Sequence, residues 1–207
     1  MPKVELGEVM RAGTVGVVEA SKNSAFPVGT HVYGFGGCCD YYVGIVGVNV
    51  MYPVEGPGGA LGLTGDLSVI SLIVGLAAWY GAKKVLQPAA GDIVVVSGAA
   101  GAVGSIVGQL AKLAGAKVVG IAGGAAKCAL LRDHFGFDCA VDYKSQDVEK
   151  AIAAFAPEGV THYFDNVGGS ITDAVLNVMR INGKVALRAS SLCVVYASME
   201  LMSHNAP

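Results

Sequence analysis

The order of apolar and polar positions divides this chain into two regimes. The first 60 or so residues carry short apolar runs broken by glycine and proline: Thr14-Val-Gly-Val-Val-Glu-Ala, a turn at Phe26-Pro-Val-Gly-Thr, His31-Val-Tyr-Gly-Phe entering a bend at Gly36-Gly37, and Tyr41-Tyr42-Val43 pairing onward. Such runs predict short strands, part of a small barrel. Gly56-Pro57-Gly58-Gly59 marks a loop, a helical segment follows over 67–84, and Pro88-Ala-Ala-Gly91-Asp92 is a turn. From there strands and helices alternate. Strands are expected at 93–97, 117–122, 139–142, 160–165 and 184–188, with helices at 102–114, near 125–135, at 147–155 and at 170–180. Val103, Ile106, Val107, Leu110 and Leu113 give the first of these helices one apolar face. The alternation predicts an α/β fold: right-handed parallel βαβ units in a doubly wound sheet, preceded by a β-rich piece. Four stretches are expected: a partial β-rich domain over 1–65, a linking helix and turn over 66–92, the doubly wound domain over 93–189 (incomplete), and a tail over 190–207.

Composition narrows the partners. Charged residues are 14% of the 207, hydrophobic ones 53%, and the net charge is −2 without a basic block. Nothing there favours nucleic acid or an anionic membrane surface. The uncharged run from Leu67 to Ala82 would reach roughly 24 Å as a helix, short of the ~30 Å hydrocarbon core, so a buried helix is expected and not a membrane span. The first residues lack the apolar core of a signal peptide. Cys38, Cys39, Cys128, Cys139 and Cys193 have neither metal-ligand spacing nor a secreted disulfide pattern. A reduced, cytoplasmic setting and no metal are expected, because Cys38-Cys39 with His31 lacks the spread of ligands that a catalytic zinc needs.

The candidate chemistry lies at the strand ends. Ile93-Val-Val-Val-Ser97 runs into Ala99-x-Gly101-x-x-Gly104 and directly into a helix, the context that a dinucleotide fingerprint requires. Gly101 leaves room for backbone to approach a pyrophosphate, Gly104 lets helix and strand pack closely, and the first-turn N–H groups around Ala102 and Val103 face the phosphates. An NAD-binding chain usually places an acid about 20 residues further on. Here Ile121-Ala122-Gly123-Gly124-Ala125-Ala126-Lys127 holds no carboxylate and ends in a lysine, which favours the 2′-phosphate of NADP(H); an ordinary solvated lysine stays open. Tyr143-Lys144 after the third strand could reach the same phosphate, or simply be surface residues. Asn166, in Asp165-Asn166-Val167-Gly168-Gly169, offers an amide over the nicotinamide side, against the alternative of a plain turn. Tyr80-x-x-x-Lys84 resembles the catalytic pair of short-chain dehydrogenases but precedes the nucleotide fold, so it is read as coincidence.

Val96-Ser-Gly-Ala-Ala-Gly-Ala-Val-Gly-Ser-Ile-Val-Gly-Gln-Leu-Ala-Lys-Leu, the run over 118–128, Gly136-Phe-Asp, Tyr163-Phe-Asp-Asn-Val-Gly-Gly, Val32-Tyr-Gly-Phe-Gly-Gly and Gly75-Leu-Ala-Ala-Trp-Tyr-Gly together resemble one family. It is the zinc-independent medium-chain dehydrogenase/reductase of the prostaglandin reductase / leukotriene hydroxydehydrogenase type, with its curcumin and alkenal reductases. The resemblance implies a Rossmann domain behind a GroES-like one. It also implies NADPH-dependent reduction of the carbon–carbon double bond of α,β-unsaturated ketones or aldehydes, hydride passing from nicotinamide C4 to the β-carbon and a proton to the α-carbon. By the same resemblance Gly101 to Gly104 would hold pyrophosphate, Lys127 and Tyr143 the 2′-phosphate, and Asn166 would lie toward the nicotinamide; a homodimer is the candidate assembly. No catalytic side chain is assigned. Two departures stand out: Ala77 where the family usually has threonine, and Arg188-Ala-Ser-Ser-Leu-Cys-Val-Val-Tyr where a glycine turn and an Ile-Ser-x-Tyr-Asn pattern are expected. With family segments missing from both ends, the expectation is residual NADPH binding with weak or absent turnover. A non-catalytic NADP(H)-binding module or an inactive fragment is the alternative.

Overall fold

A computed structural model describes residues 4–44, 51–53, 74–190 and 193–198. The chain divides into two compact units, Met1–Ile73 and Val74–Pro207. In the first, β1 (Thr14–Val17), β2 (His31–Gly34) and β3 (Met51–Pro53) form an antiparallel sheet in that order. The Phe26–Thr30 turn closes β1 on β2: Gly29 N–H donates to the Val18 carbonyl at 2.8 Å, and Val18 N–H to Thr30 at 2.9 Å. The strand expected at Tyr41-Tyr42-Val43 does not form; Tyr41 is 78% exposed, and β3 takes the place beside β2. The Gly36-Gly37 bend accounts for this, because Gly37 and Cys38 bond back to Ala12 and Met10 and turn the chain away from β2.

The helix expected over 67–84 lies partly outside the described residues. Its described part is α1 (Gly75–Tyr80), which widens without a break into a π-helical turn, Gly81–Leu86, and belongs to the second unit. β4 (Ile93–Ser97), α2 (Ala102–Leu113), β5 (Lys117–Ala122), α3 (Ala125–Asp133), β6 (Cys139–Asp142), α4 (Val148–Phe155), β7 (Val160–Asp165), α5 (Gly169–Leu176) and β8 (Met179–Ser190) then follow as the alternation predicts. Sheet order is β6-β5-β4-β7-β8 with parallel pairing throughout. The direction of winding therefore reverses between β4 and β7, where open α/β sheets leave a crevice at the carboxyl ends of their strands.

Strand alternation sends side chains to both faces. Val94, Val96, Val118, Ala122 and Phe164 join Val103, Val107 and Leu131 on one side, and Val95, Val119, Ile121 and Tyr163 join Ile152 and Val175 on the other. Close packing has a specific signature: Phe137 lies where a β-carbon on Gly108 of α2 or Gly120 of β5 would sit, so one ring wedges helix against strand.

The carboxyl end departs from expectation. The helix expected to reach 180 ends at Leu176, and β8 starts at Met179, because Val160 N–H takes the Val178 carbonyl at 2.9 Å and Met179 is buried beside it. Beyond it, Cys193–Ser198 forms β9, antiparallel to β8 (Lys184↔Ser198, Leu187↔Val195), where only a divergent tail was expected. Among the described residues the sheet thus has six strands, the last reversed. Among the described residues no helix is long and apolar enough to cross a membrane.

At the opposite end of the sheet from the crevice, His162 of β7 is 6% exposed, with Nδ1 2.8 Å from the Thr161 hydroxyl and 3.8 Å from Asp92 Oδ1. Burial holds its imidazole below the usual value; Asp92 and the Leu86 carbonyl pull upward and Lys184 pushes down. In the unfolded chain the ring takes its proton near the ordinary value of about 6.5. Below that pH the unfolded state therefore binds a proton that the folded state resists, and stability falls as pH falls. We expect the urea midpoint to drop between pH 7 and pH 5.5, and His162→Gln to flatten that drop; an equal slope in both proteins would contradict the assignment.

Candidate functional site

The turn after β4 is built differently from the fingerprint as written. Its left-handed residue is Gly98 (φ +57°), one position before Ala99. Ala99 is fully buried, and its N–H donates to the Ile121 carbonyl at 3.0 Å. The missing first glycine is therefore supplied next door, and alanine contributes a core methyl. Gly101 has extended backbone (φ −83°, ψ 172°), and a β-carbon there would meet only the Gly98 carbonyl, at 3.1 Å. Gly104 is closed in: a β-carbon would lie 2.5 Å from the Gly98 carbonyl oxygen and 2.8 Å from Ala99 Cα. Ser105 N–H makes the first intrahelical bond, to Gly101, while the N–H groups of Ala102, Val103 and Gly104 find no backbone acceptor among the described residues. The Val103 side chain is core, so only its amide can serve a ligand. Three free donors and the positive end of a helix of Ala102–Leu113 are an anion cradle.

The turn after β5 brings Gly123, Gly124 and Lys127 to the same edge of the sheet. Lys127 is exposed in the first turn of α3 and has no ion pair among the described residues. Tyr143 packs on Gly123 closely enough that a β-carbon on Gly123 would lie 2.8 Å from the phenol oxygen. These residues, expected to share one phosphate, do lie on adjacent strand ends. The run over 121–127 holds no carboxylate of its own, but the neighbouring strand brings one to it. Asp142, the last residue of β6, places Oδ1 2.8 Å from Gly124 N. Hydrogen bonds from the Gly124 and Lys144 amides hold its carboxyl below the usual range against the effect of burial, with help from the Ser145 hydroxyl and the charge of Lys144.

Across the crevice, the end of β7 is held by a buried carboxylate. Asp165 Oδ1 accepts from the Ser97 hydroxyl at 2.8 Å and from the Val167 and Gly168 amides at 2.9 Å each; Oδ2 accepts from the Thr172 hydroxyl at 2.6 Å. Burial opposes its charge, but these four donors outweigh it and hold the carboxyl below the ordinary range. Asn166 was expected to offer both a donor and an acceptor to the nicotinamide side. Its Nδ2 is instead committed to the Ser97 carbonyl at 2.8 Å, and its N–H to Ser97 Oγ at 2.8 Å. The first of these bonds uses one of the two Nδ2 hydrogens, and Oδ1 is buried and without a partner among the described residues. A bare buried acceptor is costly, and an amide donor on a bound ligand is what would relieve it.

Sequence reading passed over Ser97, Asp142, Asp165 and Thr172. A signal was present: β4 and β6 are otherwise apolar, and these two and β7 each end in a hydroxyl or carboxylate, at the edge where parallel strands present their ligand side.

The fold is a doubly wound unit preceded by a β-rich one, with its open edge at the carboxyl ends of the parallel strands. Two family profiles agree: residues 102–204 match "Zinc-binding dehydrogenase", and residues 1–49 match "N-terminal domain of oxidoreductase". In both profiles and in its relatives the chain is similar to medium-chain dehydrogenase/reductases, prostaglandin reductases and curcumin reductases among them. Prostaglandin reductase 1 of Mus musculus is 41% identical over 186 residues, covering 89% of this chain and 56% of that protein. The NADPH-dependent curcumin reductase of Escherichia coli K12 is 36% identical over 186 residues, covering 89% and 52%. Among solved structures, CurA from Vibrio vulnificus in complex with NADPH superposes with a TM-score of 0.78 at 38% identity, covering 88% of this chain and 52% of that one. The chain thus spans about half the length of the relatives it matches.

Proposed function

We propose that the second unit binds NADPH and that the protein takes part, in the cytoplasm and without zinc, in reducing the carbon–carbon double bond of small α,β-unsaturated ketones or aldehydes. The observation that carries the reading is the strand-end edge itself: an open Gly101 beside three amides with no backbone acceptor among the described residues, and an exposed Lys127 in the helix that follows Gly123, on which Tyr143 packs. When bound, NADPH supplies the hydride. The chain's own groups bind and orient. The amides of Ala102, Val103 and Gly104 would take the pyrophosphate, Lys127 and Tyr143 the 2′-phosphate, and Asn166 Oδ1 a donor on the nicotinamide side. Asp165 fixes the turn that carries Asn166, because four of the protein's donors converge on its carboxylate. The names of the curcumin reductase and of the NADPH-bound CurA structure support the choice of cofactor. A zinc-free reading is supported by Cys39, whose Sγ donates to the Gly36 and Gly37 carbonyls and is turned to its own loop.

Fluorescence titration with NADPH and NADH, followed by cofactor oxidation in the presence of a small enone, tests both halves. We expect tighter binding of NADPH. Lys127→Ala should weaken NADPH by about 10- to 100-fold, the scale of one charge-assisted hydrogen bond, and leave NADH nearly unchanged. Equal losses for both cofactors would remove Lys127 from the phosphate site. Binding without any enone-dependent oxidation would leave a binding module and overturn the reductase half.

A further inference from the structure

We propose that Asp142 is a positioning residue for cofactor choice: its carboxylate clips the β5–α3 turn to the β6–α4 turn and so sets Tyr143 against Gly123. The inference rests on the NADP(H) reading of this edge and deepens it.

Four observations carry it. Oδ1 bridges two loops, accepting Gly124 N–H at 2.8 Å and Lys144 N–H at 3.0 Å, while Oδ2 accepts the Ser145 hydroxyl at 3.0 Å. The residue's own N–H is tied to Gln146 Oε1 at 2.8 Å, and its carbonyl accepts from Ser145 and Gln146 at 3.1 and 2.9 Å, so the base of the clip is fixed. Tyr143 sits between two pinned neighbours, with its own N–H on the Ala122 carbonyl at 3.2 Å. Its ring then closes over Gly123 and stays 46% exposed, facing outward as a ligand wall must.

The acid here differs in use from one that recognises a ribose diol. Such an acid directs its oxygens at the ligand, whereas Oδ1 of Asp142 takes two protein amides and Oδ2 takes the Ser145 hydroxyl. Three donors delocalise its charge, and Lys127 and Lys144 are the exposed cations on the same two loops. An anion is therefore tolerated beside a carboxylate that would otherwise repel it, and the geometry that admits it depends on that carboxylate.

The test uses the whole 207-residue chain, with adenosine 2′,5′-bisphosphate and adenosine 5′-monophosphate as probes beside NADPH and NADH. Asp142→Ala should weaken NADPH and the bisphosphate by about tenfold while moving NADH and the monophosphate by less than about threefold, with thermal stability little changed. Asp142→Asn keeps an acceptor for Gly124 and should recover most of the loss. If Asp142 merely repels anions, both variants would bind NADPH more tightly, and the proposal falls. Equal loss for all four ligands, or an alanine variant that does not fold, would make Asp142 structural and overturn it as well. A wild-type chain that holds the bisphosphate no better than the monophosphate would instead overturn the NADP(H) reading beneath it.

Discussion

Gly101→Val should yield a folded protein that no longer binds the cofactor. The backbone at this position is extended, a conformation that valine favours, and the new β-carbon meets nothing nearer than one carbonyl oxygen at 3.1 Å. Valine is a poorer helix N-cap than glycine, which costs about 1 kcal/mol or less. The two γ-methyls, however, occupy the open side of the turn, beside the unpaired amides of Ala102 and Val103. Contact between a phosphate and those amides would be blocked, so we expect affinity for NADPH and NADH alike to fall by at least about 100-fold. Urea unfolding beside a fluorescence titration checks both halves of the statement. A folded variant that binds as the wild type does would remove this turn from the site.

Gly104→Val should do the reverse and damage the fold first. Glycine to a larger residue within a helix ordinarily gains stability from helix propensity, by up to about 1 kcal/mol. Here the β-carbon would lie 2.5 Å from the Gly98 carbonyl oxygen and 2.8 Å from Ala99 Cα. Both are backbone atoms of the β4–α2 turn and cannot swing aside as a side chain could. The helix must lift off the strand, opening the contact between Val103, Val107 and the β4 valines. We expect a loss of about 3 kcal/mol, at the upper end for overpacking, read as a fall in the urea midpoint. An unchanged midpoint would mean that helix and strand can separate freely at this point. The two glycines are three residues apart in one motif, yet one is required by the ligand and the other by the protein.

That distinction shows how far the motif alone reaches. Spacing identified Gly101 and Gly104 as a pair, but their different surroundings follow from the path of the turn, and that path is decided by Gly98, outside the motif's own register. Asn166 is a second case. Its place after the fourth strand of the doubly wound unit was legible, but the commitment of its amide nitrogen to the Ser97 carbonyl was not, because Ser97 lies 69 residues earlier. Asp142 is a third. It is distant in sequence from the glycines at 123–124 and adjacent in space only because β6 pairs with β5 in register, Ala122 against Asp142.

What the sequence determined by itself is what short-range physics controls. Period-two and period-3.6 patterns placed the helices and strands from residue 93 to 176 within a few residues, and the glycine turn after the first of those strands marked the edge that ligands approach. The tertiary structure decided what depends on pairing between distant segments. β8 begins at Met179 because Val160 recruits Val178. Cys193–Ser198 becomes a strand because the free edge of β8 offers it hydrogen bonds. The carboxylates at the strand ends act through backbone amides of other loops, and no local pattern records which amide a folded chain will bring within 3 Å of a given oxygen.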